Sequence, residues 1–208
     1  MVAASDFLPP ILAKAARKLV SPAKPASLFD GSDEMFRREA SRSRVYGEYG
    51  MGASSRWVLS NTDALVLAVD TSEEWVLSVR SAFADEPRLR AQWVDVGPVG
   101  EWGRPVSMAK RDAFPSYLSS IWDHAEQPDL VLVDGRFRVA SFLTSLLRAK
   151  PGTRIIFDDY MNRPHYHVAD EVLPSIEHCG RQALFVVPEW IDRPVIDRLR
   201  DRFIFVID

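Results

Sequence analysis

Residues 45–55 of the chain read VYGEYGMGASS. A mainly apolar stretch comes first, then two glycines, Gly50 and Gly52, and then three small residues. Glycine permits a tight turn and a close approach of a ligand to the backbone, so this order predicts a strand, a turn and the beginning of a helix. Free backbone N–H groups at the beginning of that helix favour polar ligand atoms. The segment therefore predicts a ligand-binding turn.

The rest of the chain alternates short apolar runs with helical patterns. The runs that predict strands lie at residues 44–49, 64–70, 91–96, 130–134, 153–158, 183–187 and 203–208. The segments that predict helices lie at residues 33–43, 54–60, 72–83, 115–125, 137–149, 164–178 and 192–201. Runs such as LVLAV and LVLV are apolar on both faces, which is typical of parallel strands covered by helices on both sides. The alternation predicts an α/β fold, namely a Rossmann-like, doubly wound and mostly parallel sheet of seven strands with helices on both faces.

Acidic residues at the strand ends indicate the kind of ligand. Asp70 stands twenty positions after Gly50, where a carboxylate can accept hydrogen bonds from ribose hydroxyls. Asp95 ends the third run, near the place expected for an adenine amine. Glu48 would repel the pyrophosphate of a dinucleotide and attract the ammonium and sulfonium groups of S-adenosylmethionine. Ser54, at the beginning of the helix, is a further candidate contact with that cofactor.

A second acidic cluster follows the fourth and fifth runs. Asp134 comes after one strand, and Asp158 and Asp159 come after the next, so the three carboxylates are expected at the same edge of the sheet. Such carboxylates repel one another unless a cation or protons neutralise them, and Mg²⁺ prefers oxygen ligands. Arg136 and Arg138 leave two alternatives open. They can bind an anionic acceptor, or they can pair with the aspartates and leave no room for a metal.

Bulk properties limit the class of protein. The chain has 208 residues and a net charge of −3, which argues against a dedicated nucleic-acid binder. Cys179 is the only cysteine, so no disulfide forms within the chain and a reducing, cytoplasmic location is expected. No apolar run is long enough for stable insertion into a membrane. Residues 1–32 are expected to form an extension to a domain at 33–208, with a weakly amphipathic helix at 7–20 that packs on the domain or on the partner subunit of a homodimer, or touches a membrane surface.

The glycine turn resembles the first motif of class I S-adenosylmethionine-dependent methyltransferases. The matching residues are Glu48, Gly50 and Gly52, and Asp70 and Asp95 are similar to the second and third acidic positions of that family. The resemblance covers roughly residues 33–208. It implies that S-adenosylmethionine is the cofactor and that the last strand pairs antiparallel with its neighbour.

The segment VLVDGRFRVASFLTSLLRAKPGTRIIFDDY is similar to the metal-dependent sugar and catechol-type O-methyltransferases. That resemblance implies that Asp134, Asp158 and Asp159 are ligands of a metal such as Mg²⁺. The chain departs from the family pattern because Arg136 and Arg138 follow Asp134, where an acidic or hydroxyl residue is often found.

The resulting interpretation is methyl transfer from S-adenosylmethionine to a small-molecule acceptor, with an oxygen as the preferred methyl-accepting atom. Asp134 and Asp158 would position the acceptor or a metal, and His165 is a candidate general base. Because methyl transfer is a direct displacement, it needs alignment more than a protein nucleophile. Two alternatives remain: a nucleotide- or dinucleotide-binding enzyme on the same fold, and a catalytically silent binding protein.

Overall fold

A computed structural model describes residues 27–207, and these residues form a sheet of seven strands. The strands are β1 (Val45–Tyr49), β2 (Leu65–Asp70), β3 (Leu89–Trp93), β4 (Leu130–Val133), β5 (Arg154–Phe157), β6 (Glu177–Cys179) and β7 (Gln182–Val186). The α-helices are α1 (Glu34–Ala40), α2 (Ala53–Asn61), α3 (Glu73–Ala82), α4 (Phe114–Ser119), α5 (Arg138–Arg148) and α6 (Arg193–Phe203). Short 3₁₀ helices span Glu101–Gly103, Arg111–Ala113, Ser120–Trp122 and Pro164–Glu171. The helix expected at residues 7–20 lies outside the described residues.

The strand order β3-β2-β1-β4-β5-β7-β6 creates a switch point between β1 and β4. On one side the chain winds outward from β1 to β3, and on the other from β4 to β5, with all five strands parallel. Ligands bind outside the carboxyl ends of the strands at such a point. Tyr49 of β1 lies level with Val133 of β4. Gly50, Asp70 and Asp134, which end or follow their strands, therefore come together at one edge.

Helices cover both faces of the sheet. On one face Phe36 of α1 and Val58 of α2 are fully buried, and on the other Phe142 of α5 and Ile196 of α6 are buried. Phe29, in the segment before α1, packs edge-on against Phe36 with ring centroids 5.2 Å apart. Among the helices described for residues 27–207, none is long and apolar enough to span a bilayer.

The α/β fold with a mostly parallel seven-stranded sheet is confirmed, but two predicted elements are wrong. The predicted helix at 164–178 is a 3₁₀ helix followed by β6, which pairs antiparallel with β7. The predicted strand at 203–208 is absent from residues 203–207, because α6 continues to Phe203 and residues 204–207 form a turn and irregular backbone. The antiparallel pairing with β5 belongs to β7. Gly180, with φ of +58°, permits the short turn that joins β6 to β7.

Candidate functional site

The turn after β1 lies directly against the loop after β4. Gly50 has φ of +93°, and a Cβ atom at this position would lie 2.6 Å from Cα of Gly135. A Cβ atom on Gly135 would in turn lie 2.1 Å from the hydroxyl oxygen of Tyr117. Both positions therefore require glycine, since only bare backbone fits between the two loops. A Cβ atom on Gly52, in contrast, would meet no atom within 4 Å.

Asp70 fixes the glycine turn from the end of β2. One carboxylate oxygen accepts a hydrogen bond from the backbone N–H of Met51 at 2.7 Å, and the other accepts one from the N–H of Ser72 at 2.7 Å. Burial raises the pKa of Asp70 above its ordinary value. Each carboxylate oxygen can accept a further hydrogen bond, so Asp70 can support the turn and receive two ligand hydroxyls.

The carboxylate of Glu48 is enclosed by the protein. Its side chain is completely buried, and its two carboxylate oxygens accept hydrogen bonds from the hydroxyls of Ser54 and Ser55. Burial raises the pKa of Glu48 to about 7. It therefore connects β1 to the first turn of α2 through both of its oxygens, and a contact with the ammonium group of a cofactor stays a prediction.

A cavity of about 460 Å³ opens at the carboxyl edge of β1, β2 and β4, a volume within the ordinary range for small-molecule sites. It is lined by Ser27, Leu28, Phe29, Asp30, Gly50, Met51, Gly52, Ala53, Ser54, Asp70, Thr71, Trp75, Trp102, Asp134, Gly135, Arg136, Arg138, Asp159, Arg163 and Arg181. Four predicted cofactor contacts, Gly50, Gly52, Ser54 and Asp70, thus share one cavity.

Asp95 does not line this cavity, and its place beside an adenine stays a prediction. Its exposed carboxylate accepts hydrogen bonds from the N–H of Gly97 at 2.9 Å and from the ammonium group of Lys110. Two indoles line the cavity instead. Trp75 and Trp102 are nearly parallel, with ring centroids 6.5 Å apart and an interplanar angle of 11°.

The second acidic cluster surrounds a buried arginine. The guanidinium of Arg138, on a side chain only 4% exposed, lies 2.9 Å from a carboxylate oxygen of Asp134 and 3.1 Å from one of Asp159. It also donates to the backbone carbonyl of Asp158 at 2.8 Å and to that of Gly135 at 3.1 Å. Burial, together with the neighbouring Asp158, raises the pKa of Asp134 well above its ordinary value.

Two further arginines complete the cluster. Arg181, in the turn between β6 and β7, lies 2.6 Å from Asp158 and 3.2 Å from Asp159, and Arg163 lies 2.9 Å from Asp159. Asp158 is fully buried and also accepts a hydrogen bond from Gln182 at 3.0 Å.

These contacts do not fit the metal centre expected at Asp134, Asp158 and Asp159. The guanidinium groups already neutralise the carboxylates that would have to coordinate the ion. Within residues 27–207 there is no group of three acidic, histidine or cysteine side chains arranged to hold a metal. The alternative that arginine pairs with the aspartates and leaves no room for a metal is the one that the structure supports.

His165 is exposed and does not line the cavity, and its role as a general base stays a prediction. Its ring packs against Tyr166 with centroids 4.4 Å apart. Of the other two predicted catalytic residues, Asp134 lines the cavity and Asp158 does not.

Comparison with known structures identifies the family. A methyltransferase-like protein from Silicibacter pomeroyi DSS-3 is 31% identical over 82% of this chain and 92% of that chain, with a TM-score of 0.75. The chain belongs to the class I S-adenosylmethionine-dependent methyltransferase-like family. The N-methyltransferase NodS from Bradyrhizobium japonicum WM9, solved with S-adenosyl-L-homocysteine, shares the fold at 13% identity over 85% of this chain and 98% of that chain, with a TM-score of 0.52. No protein-family model and no functionally curated protein matches the chain.

Several site residues of this methyltransferase-like protein were not predicted. The sequence does not indicate Arg181, because residues 164–178 predict a helix, which would carry the following residues away from the sheet edge. Arg163 lies in the irregular segment after β5, where no periodicity indicates direction. Gly135 carries a signal that could have been used, since a glycine directly after a strand end and opposite the first turn is typical of close backbone packing.

Proposed function

We propose that this protein transfers a methyl group from S-adenosylmethionine to a hydroxyl oxygen of a small molecule. The observation that carries the proposal is the cavity in which Asp70 closes the glycine turn, on a chain 31% identical to a methyltransferase-like protein. NodS, with S-adenosyl-L-homocysteine bound, supports the proposal through its shared fold.

The proposed cofactor contacts follow from the positions of the cavity residues. Asp70 accepts hydrogen bonds from the two ribose hydroxyls with the lone pairs that Met51 and Ser72 do not use. The methionine end lies against the backbone at Gly52, where no side chain intervenes. The adenine lies near the paired indoles of Trp75 and Trp102, because flat aromatic surfaces suit a purine.

Catalysis in this proposal depends mainly on alignment. When bound, S-adenosylmethionine would supply an electrophilic methyl group for the acceptor oxygen, with its sulfur as the leaving group. Asp134 receives the proton that the acceptor hydroxyl loses, since its carboxylate lines the cavity. Arg138 holds that carboxylate in place. No step runs through a metal ion, because Arg138 and Arg181 already contact its expected ligands.

Calorimetric titration with S-adenosylmethionine and S-adenosyl-L-homocysteine tests the proposal. Asp70→Asn is expected to weaken binding of both ligands by roughly tenfold to a hundredfold, because it removes charged acceptors of two hydroxyl hydrogen bonds. Asp95→Asn is the matched control and is expected to leave both affinities unchanged, since Asp95 lies outside the cavity.

The titration, together with an assay of methyl transfer, distinguishes the proposal from its two alternatives. Binding of NADH in place of both methionine-derived ligands would favour the dinucleotide alternative. Absence of binding of either ligand to the folded protein would overturn the proposal. Binding without turnover of any hydroxylated acceptor would favour the silent-protein alternative.

A further inference from the structure

A second cavity, of about 680 Å³, adjoins the first one. The two cavities share three lining residues, Trp102, Arg136 and Arg163. A molecule in the second cavity would therefore lie beside a ligand in the first. This is the position that a methyl acceptor needs, since it must be aligned with the donor's methyl group.

The second cavity is predominantly basic. Arg104, Arg136 and Arg163 line it, and Glu101 is the only acidic residue among its lining residues. Arg163 already pairs with Asp159, with the two groups 2.9 Å apart, so Arg104 supplies the positive charge that is available to a ligand. A cleft lined by one sign of charge concentrates ligands of the opposite sign.

The loop that carries Arg104 into the lining of the second cavity is held in place by backbone hydrogen bonds. Its carbonyl accepts a hydrogen bond from the N–H of Gly100 at 2.8 Å, and the hydroxyl of Thr71 donates to the carbonyl of Gly103 at 2.6 Å. These contacts fix the loop on the end of β2. The exposed guanidinium of Arg104 has no hydrogen bond or ion pair with any residue in the described range 27–207. Its planar set of donors can therefore bind a carboxylate or a phosphate through two parallel hydrogen bonds.

Trp102 supplies an apolar surface at the boundary of the two cavities. Its side chain is 73% exposed, and its φ of +57° is unusual for a residue other than glycine. Backbone in such a region is strained, and strain of this kind is concentrated at ligand-binding sites. An indole has two faces, so Trp102 can meet the adenine on the side of Trp75 and the body of an acceptor on its other face.

We infer that the second cavity binds the methyl acceptor as an anion. The acceptor is a small hydroxylated molecule whose carboxylate or phosphate group pairs with Arg104, while its apolar part lies on Trp102. This inference rests on the proposed methyl transfer and specifies the acceptor class.

Titration of the protein saturated with S-adenosyl-L-homocysteine tests the inference. The probes are para-hydroxybenzoate, its neutral analogue para-hydroxybenzamide, and phenyl phosphate. At least one anion is expected to bind about tenfold more tightly than the amide, and the better anion distinguishes a carboxylate site from a phosphate site. Arg104→Gln is expected to weaken anion binding about tenfold and to leave amide binding unchanged. Arg111→Gln, which removes an exposed arginine outside both cavities, is the control and should change neither affinity.

The inference is overturned if neither anion binds more tightly than the amide, or if Arg104→Gln and Arg111→Gln have equal effects. Both results leave the proposed function intact when S-adenosyl-L-homocysteine itself binds. If that ligand fails to bind, the proposed function fails first. The same titrations on the protein without it then decide whether the basic cavity selects anions.

Discussion

Arg138 occupies the place that the sequence suggested for a metal ion. Its guanidinium contacts Asp134 and Asp159 and lies 3.9 Å from Asp158. A guanidinium cannot lose its charge at ordinary pH, and its planar donors suit several acceptors at once. The carboxylates are therefore neutralised by the protein itself.

Replacement of Arg138 by methionine should allow a metal ion to bind among the aspartates. Removal of one partner from a buried ion pair typically costs about 3–5 kcal/mol, because uncompensated charge stays buried. Arg138→Met should therefore lower the free energy of unfolding by about that amount. Millimolar Mg²⁺ should restore part of the loss, since it prefers carboxylate ligands. Urea unfolding with Mg²⁺ and with EDTA measures both effects.

Arg138→Lys is the second variant, because it keeps the charge and loses the planar donors. It should be destabilised less than Arg138→Met and should gain little from Mg²⁺. If Mg²⁺ stabilised the natural protein and Arg138→Met equally, Arg138 would not be the group that takes the place of a metal ion among the aspartates.

At the scale of elements, the turn between β1 and α2 contains two glycines with different roles. Gly50 has a left-handed backbone and touches Gly135, whereas a side chain on Gly52 would enter open space at the cavity. The first glycine is required for packing of the loops after β1 and β4. The second is required for approach of a ligand to the backbone.

Alanine substitutions should separate these two roles. Gly50→Ala should lower the free energy of unfolding by at least about 2 kcal/mol, because a Cβ atom adds left-handed strain and a contact with backbone that cannot move freely. Gly52→Ala should change that free energy by less than about 0.5 kcal/mol and weaken S-adenosyl-L-homocysteine binding roughly tenfold. Urea unfolding and calorimetry measure the two effects, and a reversed pattern would refute the assignment.

The elements that could be predicted from the sequence are those with a strong local signal. Strands β2 and β4 are apolar on both faces, and β1 is followed by the glycine turn, so the positions of all three follow from local signals. Strand β6 reads EHC and has no such pattern. Its position depends on pairing with β7 through the turn at Gly180, which is not a local property. That turn also places Arg181 among the aspartates, so an error in one element concealed a residue of the site.

At the scale of the whole molecule, buried carboxyl groups make stability depend on pH in an unusual direction. Burial raises the pKa values of Glu48, Asp70 and Asp134 in the folded protein. Between the unfolded and the folded pKa of each group, the folded state therefore holds more protons than the unfolded state. The free energy of unfolding falls as pH rises through this range. Asp33 acts in the opposite direction, because its hydrogen bond from Arg37 lowers its pKa and is lost on acidification. Stability should thus decline on both sides of a mildly acidic optimum.

Glu48→Gln isolates the loss of stability at pH values above this optimum. The amide keeps the size of the side chain and can still hydrogen-bond to Ser54 and Ser55, but it has no charge to bury. For Glu48 the pKa rises from 4.5 in the unfolded chain to about 7 in the fold. Its stabilising contribution is complete below the first value and is lost as pH rises through the second.

The variant should therefore gain stability relative to the natural protein by roughly 2.5 kcal/mol between about pH 5 and about pH 8. Urea unfolding across this range measures the gain. Glu74→Gln, at an exposed position on α3, provides the control and should show no such trend. A difference between Glu48→Gln and the natural protein that stays constant with pH would show that Glu48 does not carry the buried charge, and that the link between β1 and α2 is held by hydrogen bonds of a neutral carboxyl at every pH tested.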